Sequence, residues 1–160
     1  MFEKGSVARH PATWLSICAV CVAGYEGYSG HVYRDSVGVP TICMGQTAAD
    51  GADFSKTYTK EECTIMLQKD LPKYDAPLKR CIKPEVYNGL PPHRHAALVS
   101  LSYNVGAAAV CHSSIVRFLN AGDVREACDS FLLYERAGGR VLKGLQNRRR
   151  AERALCLMEN

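Results

Sequence analysis

The sequence has no long apolar run, no internal repeat and no low-complexity segment. Its most apolar stretch, residues 12–23, would span roughly 18 Å as a helix at about 1.5 Å per residue, whereas the hydrocarbon core of a bilayer is about 30 Å thick. A stable transmembrane helix is therefore not expected. The apolar content of 47% and charged content of 22% also exclude a disordered chain and indicate a soluble globular protein.

A second pair of metal-ligating residues is also lacking. Cys18 and Cys21 are separated by two residues, but no further pair at zinc spacing follows, and both lie in the apolar stretch. We interpret them as core residues and expect no metal. The eight cysteines are nevertheless many for a reducing compartment, and their even number permits disulfides in an oxidising one such as the periplasm.

Aromatic residues make up 8% of the chain, and none accompanies the basic cluster Lys143, Arg148, Arg149, Arg150 and Arg153. Proteins that bind single-stranded nucleic acid combine basic residues with aromatic stacking platforms, so no nucleic-acid function is expected. The helical spacing of the cluster instead predicts the solvated face of an amphipathic helix. The net charge of +4 favours approach to an anionic bacterial envelope.

What the chain does contain is a distinctive segment, residues 24–47. Glu26 ends an apolar helical run among glycines, Asp35 follows nine residues later, and Thr41 six after that. The intervening residues are rich in β-formers, and the group from Asp35 to Gly38, with Ser36, can form a turn between two short strands. We therefore expect Glu26, at a helix end, to face a small hairpin that carries Asp35 and Thr41.

Two carboxyl groups in unlike surroundings are what glycosidic cleavage requires. One keeps its proton for the leaving oxygen, and the other stays ionised to activate water or stabilise positive charge at the sugar carbon. Glu26, behind an apolar helix, suits the protonated role, and Asp35, on a glycine-rich turn, suits the ionised one. Thr41 can fix a water molecule by hydrogen bonding. The alternative is that Glu26 is a solvated helix-end residue and Asp35 a turn former.

The spacing of Glu26, Asp35 and Thr41, followed by Ile42 and Gly45, resembles the signature of phage-type lysozymes, glycoside hydrolase family 24. Later blocks resemble that family in the same order, and the lambdoid endolysin branch is the most similar. These blocks are residues 97–106, 118–123, 137–139, 144–145 and 148–153. The resemblance covers residues 24–158.

The resemblance implies an α+β, lysozyme-like fold over residues 1–160 as a single domain. A small N-terminal lobe with a hairpin (25–70) would be joined by a connecting helix to a helical lobe (71–160). The implied function is that of an endolysin, which hydrolyses the β-1,4 bond between N-acetylmuramic acid and N-acetylglucosamine in peptidoglycan with inversion and without a cofactor. Glu26 would be the general acid, and Asp35 with Thr41 would place the attacking water.

Two other functions remain open. One is a catalytically idle peptidoglycan-binding module. The other is a cysteine amidase or peptidase, with Cys43 as nucleophile served by His93 or His95.

The N-terminal segment also has two interpretations. Residues 12–23 are either a buried first helix that delivers Glu26 or a signal-anchor with transient inner-membrane association. We expect a monomer that is made in the host cytoplasm and acts in the periplasm, reached through such an anchor or through a holin pore.

The remaining pattern predicts elements of the helical lobe. A capping box at Thr59 starts a helix over 60–70, and Pro72 and Pro77 are expected to break or kink the next piece of helix, which ends at about residue 82. A loop over 83–92 and four further helices are predicted, and these helices cover 93–103, 113–119, 120–137 and 142–158.

Three single residues or pairs carry further expectations. The resemblance implies that the end of the helix over 93–103, with Asn104, lies near the cleft, and a structural cap is the role expected for Asn104. Cys43 and Cys63 are expected to form a disulfide, because both flank the hairpin and the following helix. Many members of the family that this chain resembles have histidine at the position of Gln46. The structural hydrogen bond or salt bridge that this histidine forms in those relatives is therefore in doubt here.

Overall fold

The structure, a computed structural model, describes residues 13–35 and 37–159. The first half of the chain contains α1 (Trp14–Glu26), β1 (Ser29–Arg34), β2 (Pro40–Cys43), a 3-10 turn (Ala48–Asp50) and α2 (Lys60–Cys81). The second half contains α3 (Pro84–Asn88), α4 (Pro92–Val105), α5 (Ala107–Cys111), α6 (Ser114–Ala121), α7 (Val124–Asp129), a 3-10 turn (Ser130–Leu133), β3 (Arg136–Ala137), β4 (Arg140–Val141) and α8 (Lys143–Leu157). The predicted α+β class is confirmed.

Helix α1 carries Glu26 as its last residue. The Thr13 hydroxyl caps its first turn, and one face that includes Cys18 and Val22 is buried against α4. Gly27 ends the helix with φ 70°, a positive value that glycine adopts without strain. In this structure the described part of the apolar segment belongs to the first helix, with Cys18, Ala19 and Val22 buried and Val20 exposed. Within residues 13–35 and 37–159, no helix has the length and apolar character that crossing a membrane requires. Residues 1–12 and Ser36 lie outside the described part, and with them the start of the 12–23 segment.

Strands β1 and β2 form the predicted antiparallel hairpin, with Tyr33 opposite Thr41. Asp35 stabilises its turn, because its Oδ1 accepts hydrogen bonds from the N–H groups of Val37 at 2.9 Å and Val39 at 2.8 Å. The Arg34 guanidinium donates to the Gly38 carbonyl at 2.7 Å across the same turn. The hairpin therefore fixes the backbone position of Asp35 by local hydrogen bonds.

Helix α2 is one continuous helix of 22 residues, so a break at Pro72 and Pro77 is wrong, whereas a kink there stays a prediction. The predicted end near residue 82 is confirmed. The capping box at Thr59 is present, as predicted. Each proline removes one backbone hydrogen bond, but Leu71 and Leu78 on the same helix are fully buried. Because Leu71 and Leu78 are buried on either side of the two prolines, their packing keeps this segment helical. Tertiary packing here outweighs the low helix propensity of proline.

Helix α4 is the centre of the helical lobe. All of its residues from Arg94 to Ser102 are buried, and it packs against α1, α5 and α8. The short helix over 114–121 and the last helix over 143–157 are also confirmed.

Two predictions in this lobe are wrong. A short helix, α3, lies inside the predicted loop 83–92. The predicted helix over 120–137 is instead α7, a 3-10 turn and a small hairpin of β3 and β4. Gly138 and Gly139 have φ 58° and 76°, the conformation of a tight two-residue hairpin turn. The diglycine therefore joins two strands rather than ending a helix.

Three disulfides connect elements that are distant in the chain. Cys43–Cys63 links β2 to α2, as predicted, and Cys81–Cys111 links α2 to α5. Cys128–Cys156 links α7 to α8. The remaining two cysteines, Cys18 and Cys21, are unpaired on α1, and burial raises the pKa of both thiols.

Candidate active site

Glu26, Asp35 and Thr41 line one open cleft of about 370 Å³. Glu26 comes from the end of α1, Asp35 from the turn of the first hairpin, and Thr41 from its second strand. The other lining residues are Tyr33, Gly45, Tyr74, Tyr103 and Asn104. The structure thus brings together the three residues that the sequence singles out, at the junction of hairpin, α2 and α4.

Glu26 is held by an arginine from the other end of the chain. Arg148 Nη1 donates to Glu26 Oε1 at 2.5 Å, and the Arg148 guanidinium also lies 4.9 Å from the centre of the Tyr25 ring. The Glu26 side chain is 27% exposed, whereas that of Arg148 is 6% exposed. Among the described residues, Glu26 Oε2 has no hydrogen-bond partner, so this oxygen is accessible to a molecule in the cleft.

Arg148 belongs to a buried charge network centred on Glu152, which is 1% exposed. Glu152 Oε1 accepts from Ser100 Oγ at 2.7 Å, from Arg148 Nε at 3.2 Å and from Arg149 Nη2 at 3.0 Å. Burial raises the pKa of Glu152 even though both guanidiniums act to lower it, and burial likewise lowers the pKa of Arg149. The prediction that this basic cluster is a solvated face is wrong for Arg148 and Arg149, because their charges are paired inside the lobe.

Thr41 is buried, and its hydroxyl donates to the Val39 carbonyl at 2.9 Å. A hydroxyl that donates once keeps two lone pairs as acceptors, so Thr41 can accept a hydrogen bond from a water molecule in the cleft. Asp35 forms the turn through backbone hydrogen bonds and also lines the cleft. The turn-forming role is therefore confirmed, and the catalytic role stays a prediction.

On the helical side, sequence reasoning placed Asn104 near the cleft but did not identify Tyr103 as a cleft residue. Tyr103 OH donates to the Met44 carbonyl at 2.8 Å, and burial, followed by the nearby Glu26 charge, raises its pKa. Asn104 lies within α4 and lines the cleft, and its Oδ1 accepts from Arg149 Nη1 at 2.9 Å, so the expectation of a helix cap is wrong. The only sequence signal for these residues was the Tyr103-Asn104 pair at the end of an otherwise apolar helix.

Gln46, which stands at the position where the resemblance leads us to expect a histidine, forms a neutral hydrogen-bonded link. It is 1% exposed, its Oε1 accepts from the Met44 N–H at 2.9 Å, and its Nε2 donates to Tyr103 OH at 3.2 Å. Gln46 thus connects the segment that follows β2 to Tyr103 of α4.

The cysteine-nucleophile alternative does not fit this site. Cys43 is 1% exposed and is bonded to Cys63, so it offers no thiolate. His95 Nε2 instead bonds Asp75 Oδ1 at 2.7 Å, and the His95 ring stacks on Trp14. Within residues 13–35 and 37–159, no group of three or more His, Cys, Asp or Glu residues is arranged to hold a metal ion.

Comparison with known proteins agrees with this geometry. The family model described as phage lysozyme matches residues 23–152. The SAR-endolysin of Enterobacteria phage P21 is 44% identical over 134 residues, which cover 84% of this chain and 78% of that protein. The endolysin of Salmonella phage P22 is 35% identical over 135 residues, which cover 82% and 89%.

Solved structures give the same result. A variant of P22 lysozyme superposes with a TM-score of 0.79 at 32% identity and covers 89% of this chain and 97% of that one. The muramidase domain of SpmX from Asticaccaulis excentricus gives a TM-score of 0.78 at 25% identity and covers 94% and 99%. The chain therefore belongs to the phage lysozyme family and is an endolysin, a glycoside hydrolase that cleaves bacterial peptidoglycan.

Proposed function

We propose that Glu26 is the general acid of an N-acetylmuramidase and that Asp35 and Thr41 place the attacking water. The observation that supports this assignment is the convergence of all three side chains on one cleft, with Glu26 Oε2 free of protein partners among the described residues. The bond cleaved is the β-1,4 linkage between N-acetylmuramic acid and N-acetylglucosamine.

In this mechanism Glu26 Oε2 gives its proton to the glycosidic oxygen as the bond from that oxygen to the sugar carbon breaks. A water molecule that donates to Thr41 Oγ1 attacks the same carbon from the opposite face and passes its proton to Asp35. The product has inverted configuration. Arg148, bonded to Oε1, stabilises the carboxylate that remains on Glu26 after proton donation.

Asp35→Asn separates the turn-forming role of Asp35 from the catalytic one. The asparagine oxygen still accepts from Val37 and Val39, so the hairpin is retained, but the negative charge is gone. We expect about a 10²- to 10⁴-fold lower kcat, the usual range for a lost general base, with an unchanged unfolding midpoint. Release of reducing ends from purified peptidoglycan measures the effect.

The same assay tests the reaction type and includes a control. Asp123→Asn, at an exposed position on the helical lobe, is expected to leave kcat unchanged. A wild-type protein that released free amines instead of reducing ends, or that sedimented with cell walls and released neither, would contradict the muramidase assignment.

We also propose that residues 13–159 form one domain and that the protein acts in the periplasm. Three disulfides suit an oxidising compartment, and the similar protein of phage P21 is named a SAR-endolysin. Export through the 12–23 segment requires the protein to reach the periplasm without a separate membrane pore. Cell fractionation in a host without a holin measures the compartment in which the protein is found. A protein found only in the cytosol would contradict export through residues 12–23.

A further inference from the structure

One of the three disulfides borders an open cavity on the helical lobe. Cys81 and Cys111 both line this cavity, which has a volume of about 320 Å³. Both cysteines are only partly buried, and their bond joins the end of α2 to the end of α5. The other lining residues, on α6 or in the turn before it, are His112, Ser113, Ser114, Val116, Arg117 and Asn120. A small molecule that enters this cavity therefore meets the disulfide.

The other two disulfides are closed to a reagent from solvent. Cys63, Cys128 and Cys156 are 0% exposed, and Cys43 is 1% exposed. Cys43 also borders a cavity beside Glu26, but its low exposure means that a reagent in that cavity does not reach its sulfur. Thiol–disulfide exchange begins with attack of a thiolate on a sulfur atom, so access decides which bond can react in the folded protein. Access therefore favours Cys81–Cys111.

The surroundings of this disulfide are basic. Arg117 lines the cavity, and Arg80 and Lys83 flank Cys81 along the chain. These three basic residues are exposed, and in the described part of the chain none of them takes part in an ion pair. One carboxylate, Glu85, lies in the same stretch of sequence. Positive charge beside a disulfide attracts an attacking thiolate and stabilises the thiolate that leaves.

A second link holds the same region together and does not depend on the disulfide. Asn120 Oδ1 accepts a hydrogen bond from the Lys83 N–H at 2.9 Å, and Asn120 Nδ2 donates to the Cys81 carbonyl at 3.3 Å. The residues that line the catalytic cleft include neither Cys81 nor Cys111. Cleavage of this one disulfide therefore removes a constraint from the helical lobe while the cleft keeps its own supports.

We propose that Cys81–Cys111 is a thiol-exchange site that accepts an anionic thiol and loosens the helical lobe without dismantling the cleft. The sulfur of the incoming thiolate bonds to one cysteine sulfur, the S–S bond breaks, and its electron pair leaves on the other cysteine as a thiolate. A second reagent thiolate then displaces the first cysteine from the mixed disulfide. Two reagent thiols are thereby oxidised to one disulfide, and the protein disulfide is reduced to two thiols that take up the protons.

Partial reduction of the folded, full-length protein tests the site. The probe is mercaptoethanesulfonate, and the thiols that it releases are alkylated and located by peptide mapping, which distinguishes them from the free thiols Cys18 and Cys21. We expect Cys81 and Cys111 to be labelled before the cysteines of the two buried disulfides. Earlier labelling of either buried disulfide, or one common rate for all three, would overturn the proposal.

Two thiols of opposite charge test the role of the basic residues. Mercaptoethanesulfonate carries a negative group and cysteamine a positive one, and their rates at Cys81–Cys111 are compared per thiolate. For Arg117→Gln we expect the ratio of the sulfonate rate to the cysteamine rate to fall about two- to fivefold, the range that an exposed ion pair contributes. Added salt should lower the wild-type ratio in the same direction.

Arg140→Gln is the matched control, because Arg140 is also an exposed arginine without an ion pair in the described structure and lies on the second hairpin. Its ratio is expected to equal that of the wild type. An unchanged ratio in Arg117→Gln, or an equal fall in both variants, would overturn the preference for an anionic thiol.

The singly reduced protein tests the consequence for the fold. The two cysteines are separated by 30 residues, so loss of their bond should lower the thermal unfolding midpoint by about 7–15 °C. Peptidoglycan cleavage below that midpoint should continue at the wild-type rate. Cys81→Ser combined with Cys111→Ser gives the same state without alkylation. An unmoved midpoint, or loss of cleavage in a protein that is still folded, would contradict a site that loosens the lobe and spares the cleft.

Discussion

Glu152 holds two arginines inside the helical lobe, and one of them, Arg148, holds Glu26. Ion pairs at this depth give little net stability compared with apolar residues, yet removal of one partner leaves a buried charge unpaired. The network therefore positions the Glu26 carboxyl group more than it stabilises the fold. In the proposed mechanism, a side chain fixed in this way needs no rearrangement before it donates its proton.

Arg148→Met should lower the free energy of unfolding by about 3–5 kcal/mol, because it leaves Glu152 short of one of its cationic partners and Glu26 without any. Urea denaturation measures the change. Arg150→Met is the matched control, since Arg150 is the next arginine but one and is exposed, and it should stay within about 0.5 kcal/mol of wild type. Equal effects at both positions would contradict the buried network.

At this scale the sequence predicted that Glu26, Asp35 and Thr41 come together, but not the arginine that holds Glu26. Glu26, Asp35 and Thr41 lie within sixteen residues, and local patterns report on helix ends and turns at that range. Arg148 lies 122 residues from Glu26, and a run of arginines on a helix gives no sign of which members turn inward. The one sequence signal that Arg148 faces inward was the carboxylate of Glu152, one turn further along α8. The same spacing fits an exposed i,i+4 ion pair equally well.

Among the elements, four helices meet around Asp75 and His95. His95 Nε2 of α4 bonds Asp75 Oδ1 of α2 at 2.7 Å, and Tyr87 OH of α3 donates to Asp75 Oδ2 at 2.6 Å. The His95 ring stacks on Trp14, the first residue of α1, with 4.6 Å between ring centres. This junction connects the start of the helix that carries Glu26 to the rest of the lobe.

Asp75→Asn should weaken this junction in a pH-dependent way. Burial acts to raise the pKa of Asp75, but the hydrogen bonds from His95 and Tyr87 outweigh it and leave the pKa below its ordinary value of 3.8. A lowered folded-state pKa means that the carboxylate stabilises the fold above the unfolded-state pKa, and that this contribution is lost as the pH falls through the folded-state value.

The free energy of unfolding of the wild type should therefore exceed that of Asp75→Asn by about 1–3 kcal/mol near neutral pH. This difference should shrink as the pH falls below about 4. Urea denaturation at a series of pH values from neutral to acidic measures it. Asp123→Asn, at an exposed position, should differ little from wild type throughout. A difference that did not shrink below about pH 4 would contradict a stabilising Asp75 carboxylate.

Element prediction succeeded where periodicity and capping decide the outcome, as in α4, α6, α8 and the start of α2. It failed where tertiary packing decides, as at Pro72 and Pro77 in α2, whose neighbours Leu71 and Leu78 are buried. It also failed at Gly138 and Gly139, because glycines with positive φ serve a hairpin turn as readily as a helix end.

At the scale of the whole molecule, the candidate active site is assembled from distant parts of the chain. Helix α1 brings Glu26, the first hairpin brings Asp35 and Thr41, α4 brings Tyr103 and α8 brings the arginine behind the acid. Disulfides join the hairpin to α2, α2 to α5 and α7 to α8. These links constrain the unfolded chain and hold the elements that support the cleft in an oxidising compartment.

Glu26 is the proposed acid of this assembled cleft, and every other role in the mechanism depends on it. The most direct test is the rate of reducing-end release from purified peptidoglycan by Glu26→Gln, with Glu61→Gln, an exposed glutamate on α2, as the control. We expect a loss of about 10²- to 10⁴-fold in kcat for Glu26→Gln in a protein that remains folded, and wild-type activity for Glu61→Gln. A folded Glu26→Gln protein that released reducing ends at the wild-type rate would contradict this assignment.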